Sequence, residues 1–129
     1  MKAAALPLVL IVDDNDRNRK LAGDVLRLAG FRTLEAVGAA EAIALASARL
    51  PDVILMDLRL PDLDGTEAAR TLRSDPRTSR IPVVALSALP LDAGDDWFLD
   101  AGFAGYVVKP IDTDEFADLV RRFCAGGPD

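Results

Sequence analysis

Short apolar runs alternate along this chain with longer segments of helical spacing. Leu8 to Val12 is an uninterrupted apolar run that stops at Asp13-Asp14-Asn15-Asp16, as expected of a strand buried on both faces, the habit of parallel sheets. Arg17 to Ala29 then places Leu21, Val25 and Leu28 at helical intervals, with Ala22, Leu26 and Ala29 beside them, and Gly30 closes the segment. Arg32 to Ala36 reads as a second strand. Ala39 to Arg49 reads as an alanine-rich helix with Ala42, Ile43 and Ala46 inward, ended by Pro51.

Val53-Ile54-Leu55-Met56-Asp57 is the central strand, four apolar residues running into one aspartate. A helix over Gly65 to Arg73 follows, with Ala68, Ala69 and Leu72 inward, and Asp75-Pro76 makes a turn. Ile81 to Ser87 is a fourth apolar strand, with Pro82 tolerable at its start. A weaker, acidic helix is expected over Asp92 to Ala101, its first turn the most mobile part of the fold. Gly105 to Val108 is the fifth strand, ending at Lys109-Pro110. The last helix runs from Thr113, its expected N-cap, to Cys124, with Phe116, Leu119, Val120 and Phe123 on its core face. Ala125 to Asp129 is expected to be a flexible tail.

Strict alternation of five strands with helices implies a parallel sheet covered on both faces, because each crossover must be right-handed. The expected fold is α/β, a flavodoxin-like (βα)5 three-layer sandwich with strand order 2-1-3-4-5. That order sets the ends of the first and third strands side by side at the switch point, where open α/β sheets bind ligands. Asp13, Asp14 and Asp57 would then converge.

Composition narrows the chemistry. With 129 residues, 50% hydrophobic and 28% charged, the chain is long enough for one domain and too short for two ordinary ones. The expected organisation is a single domain over 1–129 with its core at about 8–124. A net charge of −6 argues against nucleic-acid or anionic-membrane partners. There is no histidine and one cysteine, Cys124, so imidazole zinc sites, Ser-His and Cys-His pairs and an intramolecular disulfide are all excluded. With no signal-like lead and no apolar run of about 18 residues, a cytoplasmic protein is expected.

Three converging carboxylates repel one another unless protons or a cation neutralise them. Magnesium suits an all-oxygen site of this kind, since it takes one or two protein carboxylates and fills its octahedron with water and phosphate oxygens. Ser87 and Lys109, at the ends of the fourth and fifth strands, add a hydroxyl and a fixed positive charge. Together these groups suit phosphoryl transfer to a carboxylate, with Asp57 as nucleophile, Asp13 and Asp14 holding the metal, and Lys109 and Ser87 contacting phosphate.

The stretches Leu10-Ile11-Val12-Asp13-Asp14-Asn15, Leu55-Met56-Asp57-Leu58-Arg59-Leu60-Pro61, Ala85-Leu86-Ser87-Ala88 and Gly105-Tyr106-Val107-Val108-Lys109-Pro110 resemble the receiver domain of two-component response regulators. The likeness spans about residues 8 to 124 in register, and the short tail places it with the single-domain class that includes chemotaxis and cell-cycle regulators. It implies that Asp57 accepts phosphate from a histidine on a sensor kinase or phosphotransfer protein. It further implies that the Arg59 carbonyl is an additional magnesium ligand, with Asp14 ligating directly and Asp13 mainly through water. On phosphorylation Ser87 would move toward the phosphate and Tyr106 turn inward, reshaping the face of the fourth helix, fifth strand and last helix for a downstream protein target. The state would be a monomer or a phosphorylation-dependent dimer. Arg59 and Leu89 occupy positions that tune hydrolysis of the acyl phosphate in the family, and slow self-dephosphorylation is expected.

Plainer readings exist for each feature. Asp13 to Asp16 taken alone would suit a helix N-cap cluster, Ser87 an ordinary strand-end hydroxyl, and Tyr106 half-buried packing. Trp97 is either core or an exposed anchor for a partner. Two competing functions stand beside the phosphoacceptor switch: a pseudo-receiver that binds partners without phosphorylation, and a magnesium-dependent aspartyl-phosphate phosphatase. The phosphatase would need a second acid two residues beyond the nucleophile, where this chain has Arg59. The pseudo-receiver would be expected to have lost one of Asp13, Asp14, Asp57, Ser87 or Lys109.

Overall fold

The computed structural model describes residues 6–87, 101–108 and 113–124. Five strands, β1 (Leu8–Val12), β2 (Arg32–Ala36), β3 (Val53–Asp57), β4 (Val83–Ser87) and β5 (Gly105–Val108), form one sheet in the order β2-β1-β3-β4-β5. All neighbouring pairs are parallel. Helices α1 (Asp16–Leu28), α2 (Ala39–Arg49), α3 (Gly65–Ser74) and α4 (Thr113–Cys124) pack on its two faces. The expected flavodoxin-like topology is therefore the observed one. The helix expected over Asp92 to Ala101, apart from Ala101 itself, the tail over 125–129, Trp97, Leu89, Lys109 and Pro110 lie outside the described residues.

Successive side chains of a strand point to opposite faces, and β1, β3 and β4 are apolar on both. On one side Leu10, Val12, Ile54, Met56 and Ala85 meet Ala39, Ala42 and Ala46 of α2 and Ala68, Ala69 and Leu72 of α3. On the other, Val9, Ile11, Leu55, Val84 and Leu86 meet Ala22 and Leu26 of α1 and Phe116 and Val120 of α4. Small residues on α2 and α3 let those helices sit close to the sheet, while larger side chains fill the opposite layer.

Two local readings are corrected. Leu21 and Leu28 of α1 are 39% and 90% exposed, and the buried stripe runs through Ala22 and Leu26 instead. Each helical residue turns the face by about 100°, so a stripe one position away looks equally periodic in sequence. Helix α2 spans Ala39–Arg49 as expected; Leu50, its C-cap, takes a left-handed conformation (φ 48°) and donates its N–H to the Ala46 carbonyl, with Pro51 following. Strand β4 begins at Val83, two residues later than expected, although the Pro82 carbonyl still accepts from the Ile54 N–H at 2.9 Å.

Candidate functional site

Strand β1 runs straight into Asp13, whose N–H extends the pairing with β2 by donating to the Ala36 carbonyl at 3.1 Å. Asp13 is 1% exposed, and its Oδ1 accepts from the Asn15 N–H at 2.8 Å. Asn15, and not either preceding acid, caps α1, its side chain accepting from the Asn18 N–H. The capping reading of the acidic run thus applies to Asn15.

Asp57 closes β3 and is 7% exposed. The Arg59 N–H donates to its Oδ1 at 2.9 Å, so the turn after the strand is folded back on the carboxylate. Helix α3 then starts very close by: a Cβ on Gly65 would lie 2.5 Å from the Asp57 carbonyl oxygen, which explains glycine there. Because β1 and β3 are adjacent, one carboxylate oxygen from each of Asp13, Asp14 and Asp57 falls within 4.8 Å of the others.

The donor set is three carboxylates, two of them buried and one, Asp14, exposed. Such a cluster is unfavourable as three bare anions. Hard oxygen donors at this spacing fit magnesium, which leaves several positions to water and phosphate. No imidazole exists in the chain, so the residues do not suit zinc or copper.

Ser87 ends β4 and is buried, one residue beyond Leu86, which pairs with Asp57. Tyr106 pairs with Ala85, is half-buried against the alanine-rich core, and lines a cavity of about 220 Å³ with Val108, Glu115, Phe116, Leu119 and Arg122, between β5 and α4. Arg59 lies in the loop after β3. Asp13, Asp14, Asp57 and Ser87 therefore all sit at the carboxyl edge of the sheet. Lys109 lies outside the described residues.

A supporting residue was not anticipated from sequence. Arg19 of α1 donates to the Asp13 carbonyl at 2.8 Å and to Glu35 of β2 at 3.2 Å, and pairs with Asp16. It ties the acid-bearing loop to its own helix and to the neighbouring strand. Its only sequence signal is a basic residue one turn into a helix whose start is acidic.

The family model of the response regulator receiver domain matches residues 9–121. The chain belongs to the response regulator receiver family. Among curated relatives, the polar-differentiation response regulator DivK of Brucella anthropi is 33% identical over 115 residues, 89% of this chain and 94% of that protein. The receiver domain of sensor histidine kinase PA1611 from Pseudomonas aeruginosa is 34% identical, with a TM-score of 0.84 over 94% of this chain and 99% of that one. That structure has magnesium coordinated in its active site cleft. The chemotaxis response regulator CheY4 of Vibrio cholerae superposes with a TM-score of 0.86 at 25% identity, covering 92% and 99% of the two chains. As a receiver, this chain is a signalling domain of two-component systems, and none of its described helices is long and apolar enough to cross a membrane.

Proposed function

We propose that this receiver is a phosphorylation-controlled switch in which Asp57 accepts a phosphoryl group from a phosphohistidine on a sensor kinase or phosphotransfer protein. The observation that carries the reading is the convergence of Asp13, Asp14 and Asp57 at one strand edge. A carboxylate oxygen of Asp57 attacks phosphorus, the N–P bond of the donor breaks, and the imidazole leaves with its electron pair, giving an acyl phosphate on Asp57. Magnesium, held by Asp13, Asp14, Asp57 and the Arg59 carbonyl, would neutralise the charge of the incoming phosphoryl oxygens. Lys109 and Ser87 are assigned to the phosphate oxygens, where fixed donors favour the transition state over the ground state.

Ser87 and Tyr106 are the assigned switch pair, on adjacent strands, with Tyr106 bordering the cavity between β5 and α4. A downstream protein would bind this face, and phosphorylation would bias it between two states. The whole chain is assigned to one receiver domain acting in the cytoplasm. The test is a beryllofluoride titration followed by NMR. With magnesium present, amide shifts should move at residues 57–59, at Ser87 and along β5; shifts that move equally without magnesium, or in Asp57→Ala, contradict the assignment.

A further inference from the structure

The loop carrying Arg59 is fastened at both of its ends by its own neighbours. Leu58 donates to the Leu86 carbonyl at 3.2 Å and accepts from the Gly65 N–H at 3.0 Å, while Asp64 caps α3 by accepting from the Thr66 N–H. Between these fixed points one side chain reaches out to a different element. Asp62 accepts from the Ala39 N–H at 2.8 Å through Oδ1 and from the Ala40 N–H at 3.0 Å through Oδ2.

Those two N–H groups belong to the first turn of α2, which has no intrahelical acceptor for them. The residue in the N-cap position is Gly38, extended at φ −153°, with no side chain to offer. A Cβ placed there would come within 2.9 Å of the Asp62 carboxylate. The bare cap and the bidentate carboxylate from 23 residues away therefore occupy one space. Capping of α2 has been handed to the loop that follows the acceptor aspartate.

We propose that Asp62 is a positioning residue for the acceptor site, tethering residues 59–63 to the α2 N-terminus so that the Arg59 backbone is held in place beside Asp57. The proposal rests on the phosphoacceptor reading above. Lacking the tether, the loop keeps its two ends but loses its lateral anchor. Both groups that Arg59 contributes, the N–H on Asp57 and the carbonyl assigned to magnesium, then lose their fixed placement.

A cap can be separated from a tether. In Asp62→Ala the magnesium Kd, measured by calorimetry, should weaken by about tenfold, the lower end of the effect of losing a supporting contact around a metal. The melting temperature should fall by about 3–5 °C, as for a lost N-cap in a domain of this size. Hydrogen exchange at the Arg59 amide should speed up in the metal-free protein. Gly38→Ser with Asp62→Ala restores a local cap to α2 in the space the carboxylate vacated. This double variant should recover the melting temperature while its magnesium affinity and Arg59 exchange stay as in Asp62→Ala. Recovery of all three would make Asp62 a helix cap only and overturn the proposal, as would an unchanged Arg59 amide in Asp62→Ala. If the wild type binds no magnesium, the phosphoacceptor reading fails, and the exchange arm still decides the tether.

Discussion

Asp52 and Asp57 bracket the same strand and meet opposite fates. At the amino end, Asp52 is exposed and joined to the start of β1 in both directions. Its N–H donates to the Leu8 carbonyl at 2.8 Å, and its carboxylate accepts from the Leu8 N–H at 2.7 Å. Around it is an open groove of about 440 Å³ lined by Arg73, Arg80, Phe123 and Cys124. The Cys124 thiol is pushed up to about 11 by burial and then by the Asp52 charge, so it stays protonated at neutral pH. At the carboxyl end, Asp57 is buried between two further acids. One aspartate is a satisfied structural acceptor and the other is kept in a like-charge cluster. Clusters of this kind, here with two of the three acids buried, concentrate at functional sites.

The contrast can be pressed hardest through two glycines. Gly65 packs against the Asp57 carbonyl, and Gly65→Ala should destabilise the fold by about 3 kcal/mol by overpacking a backbone contact. At the amino end Gly102, at φ 101°, has the Arg73 side chain as its nearest described neighbour, and Gly102→Ala should cost about 1 kcal/mol. Urea denaturation of both variants checks the order, and equal losses would mean that the two ends are equally tight.

Magnesium should act at one end only. At ten times its Kd it should stabilise the wild type by about 1.4 kcal/mol. Asp14→Ala should abolish that gain and Asp52→Asn should keep it, as read by thermal melts with and without the ion. A response surviving in Asp14→Ala would move the metal elsewhere.

Removing charge should give opposite signs without the metal. Asp14→Asn removes one charge from the three clustered carboxylates, so it should stabilise the metal-free protein by about 1 kcal/mol. Asp52→Asn weakens a charge-assisted bond and should destabilise by about the same amount. Two changes of the same sign would dissolve the distinction between the ends.

The smallest expected effect concerns Asp62, whose carboxyl is held below its ordinary value of 3.8 by the Ala40 and then the Ala39 N–H. A depressed native value means that the stabilisation is present above pH 3.8 and is lost as pH falls through the native value. The stability gap between wild type and Asp62→Asn, measured by urea melts, should therefore be constant from pH 7 to about 5 and narrow as pH falls below 3.8.

Much of the architecture was legible because its signals are local. A strand buried on both faces must be apolar throughout, and an aspartate ending such a run stands out. The meeting of Asp13, Asp14 and Asp57 followed from strand order, which alternation and crossover handedness restrict. Less legible were features decided by partners far along the chain. The inward face of α1 was misjudged by one residue because Leu21 and Leu28 keep helical spacing whichever stripe packs. Asp62 carried no signal of its own in the sequence, since the helix it caps begins 23 residues earlier. Gly38 was its only trace, a helix start lacking the usual Ser, Thr, Asp or Asn.

Everything proposed for this receiver depends on Asp57 being the phosphoacceptor of a metal-dependent site. Intact-mass spectrometry after incubation with acetyl phosphate and magnesium, on wild type and Asp57→Ala, tests it most directly. The account predicts one added phosphoryl group on the wild type, none on Asp57→Ala, and none on either protein when EDTA replaces magnesium. An adduct persisting in Asp57→Ala, or forming equally in EDTA, would contradict it.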